Sequence, residues 1–237
     1  MNRWHRYAAY YAPRIGSEWW EAGSRWLGRD AAEGEKVMAQ PVFGALACDQ
    51  QHALTEAPRR YGWHATLAAP FTLRPQIEEL ALRDGLRVLC RAWKPFDMPM
   101  LEVAMLDDFL ALIPARPSLA LNAIASACVT GLHAFAEPPS EAELQRRRAA
   151  RLTPEEDALL LRWGYPFVLE RFRFHMSLTG SLRDADAGVV AALRTAAQKH
   201  FAPLLSGPPP RFDTISLFAE PAPGGEFRCL EQMELAR

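Results

Sequence analysis

Arg60-Tyr61-Gly62-Trp63-His64-Ala65-Thr66-Leu67 and Arg171-Phe172-Arg173-Phe174-His175-Met176-Ser177-Leu178 follow one pattern. Each has an Arg four places before a His and an aromatic residue directly before it. Each also has a hydroxyl residue two places after the His, then a Leu. Both runs are apolar and aromatic and read as buried strands, over 60–68 and 167–178. In a strand, side chains at i and i+2 share a face, so His64 goes with Thr66 and His175 with Ser177. The same rule puts Arg173 on the face of His175, as a fixed positive charge for a phosphate. Its counterpart Gly62 carries none, which makes the expected site asymmetric. Imidazole titrates at about pH 6.5, so one His can serve as base and the other as acid. A neighbouring hydroxyl can donate to a non-bridging phosphate oxygen, and either Thr or Ser supplies it.

Working outward, each run is followed by an amphipathic helix and then a hairpin. The first helix, over 76–93, carries Ile77, Leu80, Leu82, Leu86, Leu89 and Cys90 at helical spacing. Its hairpin pairs 100–104 with 109–114 and turns at Asp107-Asp108. The second helix, over 184–201, carries Val189, Leu193, Ala196 and Ala197, and its hairpin pairs 212–219 with 227–235. Strand, helix and hairpin twice over suggest two similar lobes. Before the first run, residues 6–12 read as a strand stopped by Pro13, with Tyr7 and Tyr11 as candidate substrate contacts. Residues 18–27 read as a helix closed near Gly28, with Trp19, Trp20 and Trp26 as core or, alternatively, as a surface that stacks on a substrate base or ring. A short helix is expected over 46–56 and a long one over 118–135. Two more within 140–163 open at Ser140…Glu143 and at Thr153-Pro154-Glu155-Glu156. On the first of these, Arg146-Arg147-Arg148 is either a solvated face or an electrostatic lip that draws in an anion.

The 237 residues are 49% hydrophobic and 23% charged, with a net charge of −1, ordinary for a soluble globular chain. That balance excludes a large nucleic-acid footprint and leaves room for a local basic pocket or an RNA end. The four cysteines form no C-x-x-C pair and read as free thiols of a reducing compartment. With no apolar leader and no long apolar run, a cytoplasmic location is expected and no membrane association. His5, His52, His133 and His200 show no paired pattern, and neither motif has a carboxylate at ligand spacing, so neither metal nor cofactor is expected. There is no G-x-S-x-G elbow, P-loop or dinucleotide fingerprint.

The two H-x-T/S motifs resemble those of the 2H phosphoesterase superfamily. More narrowly, Tyr61-Gly62-Trp63-His64-Ala65-Thr66-Leu67, Trp163-Gly164-Tyr165-Pro166 and Phe172-Arg173-Phe174-His175-Met176-Ser177-Leu178-Thr179-Gly180 resemble DUF1045. That is a family of unknown function often encoded among phosphonate-degradation genes. The resemblance takes in Trp26-Leu27-Gly28-Arg29-Asp30 and the final hairpin, nearly the whole chain. It implies an α+β fold, one bilobed, duplicated LigT-like domain over 1–237, with two antiparallel sheets flanking a central cleft and helices outside. The helices at about 138–165 would be an insertion that the smallest members lack. It further implies metal-independent chemistry at cyclic or 2′-linked phosphodiesters, with His64 and His175 catalytic and Thr66 and Ser177 holding the phosphate. By superfamily analogy His175 is the base and His64 the acid. The gene association points to a small phosphorylated substrate, a cyclic phosphate on ribose 5-phosphate. The alternatives are an RNA or nucleotide 2′,3′-cyclic phosphodiesterase and a non-catalytic nucleotide or phosphate sensor.

Overall fold

The computed structural model describes residues 4–34 and 37–236, so the expected 1–237 domain extends at residues 1–3, 35–36 and 237 beyond what is described. In chain order the elements are β1 (Arg6–Tyr11), α1 (Glu18–Leu27), α2 (Cys48–Tyr61), β2 (Ala65–Phe71), α3 (Glu79–Arg91), β3 (Phe96–Asp97), β4 (Leu101–Leu106), β5 (Phe109–Pro114) and α4 (Leu119–Leu132). They continue with α5 (Glu141–Arg148), α6 (Pro154–Trp163), a 3₁₀ turn (Leu169–Arg171), β6 (Met176–Ser177), α7 (Ala187–Leu205), β7 (Arg211–Phe212), β8 (Thr214–Glu220) and β9 (Arg228–Glu234). The fold is α+β. Its strands pair antiparallel, in the orders β2-β1-β8-β9, β4-β5-β6 and β3-β7. No helix among the described residues is long and apolar enough to cross a membrane.

Local chemistry sets the helix ends. Ser17 caps α1 by accepting from the Trp20 N–H, and Gly28 closes it in the left-handed conformation. Thr153 and Glu156 form a reciprocal capping box at α6 with Pro154 at its first position, and Gly164 ends it. The hairpin of β4 and β5 turns at Asp107, which takes a positive φ.

Strand β1 lies inside its sheet and is buried on both faces. Tyr7, Ala9 and Tyr11 enter the main core, which also takes Ile215 and Leu217 from β8, Leu110 and Leu112 from β5, and Met176 and Leu178 from the second motif. Ala8, Tyr10 and Ala12 enter a smaller cluster with Trp20, Ala31, Phe218 and Phe227. Trp20 and Trp26 are buried in the core and Trp19 is partly buried against it. The Trp26 indole N–H donates to the Leu178 carbonyl at 2.8 Å and so ties α1 to the second motif.

Three features differ from the sequence reading. Residues 60–63 are not strand: α2 runs on to Tyr61, and a turn at Gly62 leads into β2. This helix contains Pro58, which has no N–H to give to the Leu54 carbonyl. That carbonyl instead accepts the Gly180 N–H at 2.8 Å, so the proline frees an acceptor that anchors the end of the second motif. Residues 167–178 are mostly not strand either. Only Met176–Ser177 pair, with Leu112 and Ala111 of β5, because Phe174 owes its apolar character to core burial and not to a ladder. Finally, the hairpins are exchanged between the sequence halves. The β8–β9 hairpin completes the sheet that holds β2, and the β4–β5 hairpin pairs with β6. The two halves of the chain therefore do not fold as two separate sheets.

Candidate active site

Each motif histidine stands one residue before a strand, and each is fixed in the same way. His64 Nδ1 lies 2.9 Å from the Gly62 carbonyl, and His175 Nδ1 lies 2.7 Å from the Arg173 carbonyl. A carbonyl only accepts, so Nδ1 carries the hydrogen in both rings and Nε2 is the nitrogen left for chemistry. What positions 62 and 173 share is thus a backbone acceptor, not a side chain. His64 Nε2 lies 3.2 Å from Thr66 Oγ1, which can donate to it. The Tyr10 ring stacks on His64 with centroids 3.8 Å apart, and Phe109 packs against His175 at 5.5 Å.

His64, Thr66, His175 and Ser177 line one pocket of about 570 Å³. Strands β2 and β6 approach each other there without pairing. Burial pushes His64 down to about 4; the bond to Gly62 opposes this, and the charge of His175 adds to it. Burial also lowers His175; the bond to the Arg173 carbonyl opposes that, the Arg173 charge adds to it, and the Asp107 charge opposes it. Both rings are therefore neutral at pH 7 in the free protein, and His64 is held so more firmly.

The other expected ligands fall elsewhere. With no strand at 173 the alternation rule does not reach it. Arg173 points to Asp107, with N–O distances of 2.6 and 3.3 Å, its side chain is 52% exposed, and it does not line the pocket. An exposed pair of this kind contributes little. Arg173→Ala is expected to change kcat and KM on any substrate of this pocket by less than about twofold, and steady-state kinetics checks it. Tyr7 and Tyr11 lie on the core face of β1, where the Tyr7 hydroxyl donates to Glu79 at 3.0 Å and Tyr11 packs on Phe212. The pocket-facing tyrosine of β1 is Tyr10, whose pairing with Thr66 puts it on the motif face. Alternation separated Tyr10 from its two neighbours, and only this register shows which set faces the pocket.

Arg6, Arg60, Arg146 and Arg147 also line the pocket, so two of the three consecutive arginines of α5 reach it. Arg148 turns away and pairs with Asp157 at 2.6 Å. Tyr61, Tyr165, Phe109 and Phe167 add aromatic wall. Arg6 had no signal in the sequence, because its place depends on β1 pairing with β8.

The family model described as "Protein of unknown function (DUF1045)" matches residues 66–228, beginning two residues after His64. A protein of Janthinobacterium sp. (strain Marseille), named ribose 1,5-bisphosphate phosphokinase PhnN, is 40% identical over 222 residues, covering 94% of this chain and 49% of that protein. A protein of the same name from Laribacter hongkongensis (strain HLHK9) is 37% identical over 223 residues, covering 94% of this chain and 50% of that protein. The chain spans about half the length of these curated relatives. Among solved structures, E. coli LigT complexed with NADP+ matches at a TM-score of 0.44 and 13% identity, over 99% of both chains. E. coli LigT complexed with 3′-AMP matches at 0.40 and 15%, over 98% of this chain and 99% of that one. On the extent of the family match and the identity to these relatives, the chain belongs to the DUF1045 family.

Proposed function

We propose that the chain is a metal-independent cyclic phosphodiesterase, a hydrolase that opens a cyclic phosphate on a phosphorylated ribose. The observation that carries this reading is the pair of imidazoles, each fixed through Nδ1 to a carbonyl, with a hydroxyl beside each, lining one pocket. Water attacks phosphorus in line and loses its proton to one Nε2. The ester P–O bond breaks, and the other imidazolium protonates the departing sugar oxygen. Thr66 and Ser177 donate to the non-bridging oxygens as phosphorus becomes five-coordinate. The product is a phosphate monoester, and a proton passed back through water resets the pair.

The environment favours His64 as base and His175 as acid, opposite to the superfamily analogy. In the singly protonated pair the proton rests on the less shifted ring, His175, where the bond to the Arg173 carbonyl supports it. The bell of kcat/KM against pH, which reports the free enzyme, is then expected to peak between about 4 and the ordinary histidine value of about 6.5. A maximum above pH 7.5 would oppose this assignment.

With this reading goes the bilobed arrangement of one duplicated domain, its two larger sheets flanking the cleft and the helices of 138–165 shaping substrate choice. The four free thiols fit a cytoplasmic setting. A ribose phosphate is favoured by the relatives' name, which concerns a ribose bisphosphate. Their kinase activity we place outside the half matched here, since this chain has no phosphate-binding G-x-x-x-x-G-K-S/T loop. A second reading, a nucleotide 2′,3′-cyclic phosphodiesterase, draws on Phe109, Tyr165 and Phe167, whose rings could stack on a base. The deciding experiment offers ribosyl and nucleoside cyclic phosphates to EDTA-treated protein. Turnover of the ribosyl compounds supports the first reading and preference for the nucleosides the second. Tight binding without turnover of any would make the protein a sensor, and turnover only with added metal would end the two-histidine mechanism.

A further inference from the structure

Arginines contribute four of the pocket's lining residues and carboxylates none among the described residues, more positive charge than one phosphodiester requires. Two of the four are built into the fold. Arg6 of β1 and Arg60 of α2 both pair with Glu220 of β8, whose side chain is fully buried. Arg6 Nε meets one carboxylate oxygen at 2.5 Å, and Arg60 Nη2 meets the other, which also accepts the Gly224 N–H at 3.1 Å. Arg60 Nε donates to the Gly225 carbonyl at 3.1 Å. One carboxylate between two guanidiniums leaves a net positive charge held in place. Among the described residues, the two Nη groups of Arg6 have no hydrogen-bond partner.

Tyr10 adds an independent observation. It lies on the same face of β1 as Arg6, lines the pocket and stacks on His64. Its hydroxyl is buried and has no hydrogen-bond partner among the described residues. The charges of Arg6 and Glu220 act on it, and burial raises its pKa, so it remains a neutral donor. A buried hydroxyl without a partner costs stability, and a ligand oxygen would relieve that cost. Arg146 and Arg147 differ. They share Glu143, and Arg147 lies over the Tyr165 ring at 4.7 Å, so they form an outer lip that attracts anions generally.

We propose that Arg6, Arg60 and the Tyr10 hydroxyl form a second anion subsite, which holds a phosphate monoester on the substrate whose cyclic phosphate lies between His64 and His175. This rests on the phosphodiesterase reading and assigns the residues that hold the second phosphoryl group of its sugar. Guanidinium and hydroxyl donors suit the several oxygens of a phosphate monoester. The subsite lies on the His64 side, so it would also fix which way round the sugar enters.

The test compares a ribose cyclic phosphate with and without a 5-phosphate. In the wild type the 5-phosphate is expected to lower KM by about tenfold or more. Tyr10→Phe and Arg60→Gln should each remove most of that advantage, raising KM for the 5-phosphorylated compound far more than for the unphosphorylated one. Arg147→Ala should weaken both compounds alike. Tyr10→Phe loses no bond in the free protein, so its Tm should not fall. That guards against reading a folding defect as a binding effect. Equal KM values for the two compounds in the wild type would overturn the subsite, as would an advantage that survives Tyr10→Phe and Arg60→Gln but vanishes in Arg147→Ala. Calorimetric titration of ribose 5-phosphate needs no turnover. If no cyclic phosphate is hydrolysed, binding that weakens in Tyr10→Phe still supports the subsite while the hydrolase reading fails. Absent binding overturns the subsite itself.

Discussion

His64→Ala and His175→Ala are each expected to lower kcat on a cyclic phosphodiester by about 10²–10⁴-fold, with KM changed far less, in assays containing EDTA. On the proposed mechanism each substitution deletes one Nε2 and with it one proton transfer, while Thr66, Ser177 and the pocket arginines stay. The double variant should fall little below the worse single one, because base and acid serve the same transition state. The two variants differ in what else they disturb. His64 carries the Tyr10 ring at 3.8 Å, so its removal also loses a stacked aromatic contact, of about 0.5–1.5 kcal/mol. His175 touches Phe109 only at 5.5 Å with tilted rings, and its removal is the cleaner test of chemistry. A His175→Ala protein of unchanged Tm that keeps more than about a tenth of wild-type turnover would remove that ring from the proton transfers.

Gly62→Ala is expected to destabilise the protein by about 2–5 kcal/mol and to misplace His64 at the same time. Gly62 ends α2 at φ 78° and ψ 178°, a region open essentially to glycine. There is no room for a side chain either: an added Cβ would lie 2.6 Å from the Ala31 Cβ, in the small cluster beneath the motif. Relief requires a shift of the turn, and the turn carries the carbonyl that fixes His64 Nδ1. The expected readout is a Tm lower by about 5–15 °C in calorimetry, with kcat reduced in whatever protein remains folded. A Tm within about 2 °C of wild type would mean that the turn can relax without strain. Arg173, the matching residue of the second motif, takes no positive φ and so carries a side chain there.

Much of the scaffold was legible in the sequence because local rules produced it. Ser17 and Gly28 bound α1, Thr153 and Glu156 open α6, and the helical spacing of Leu82, Leu86 and Cys90 marks the buried face of α3. The four motif residues were legible for a different reason: a His and a hydroxyl two places on recur at the start of both strands. The errors came where a local rule was carried past its element. Alternation applied to Arg173 assumed a strand that only begins at Met176. The aromatic residues Trp63 and Phe174 reported burial, which helix ends and turns share with strands, and Phe167 is exposed.

The sequence by itself determined the helices apart from the C-terminal end of α2, both hairpins and the placing of each histidine beside its hydroxyl, since these follow from neighbours a few residues apart. Only the tertiary structure decided that the hairpins are exchanged between the halves, that Tyr10 and not Tyr7 or Tyr11 faces the pocket, and that Arg6 and Arg60 meet on Glu220. These depend on strand register and on contacts between residues far apart in the chain. A one-residue change of register would put the other face of β1 toward His64, and nothing local to β1 chooses between the two.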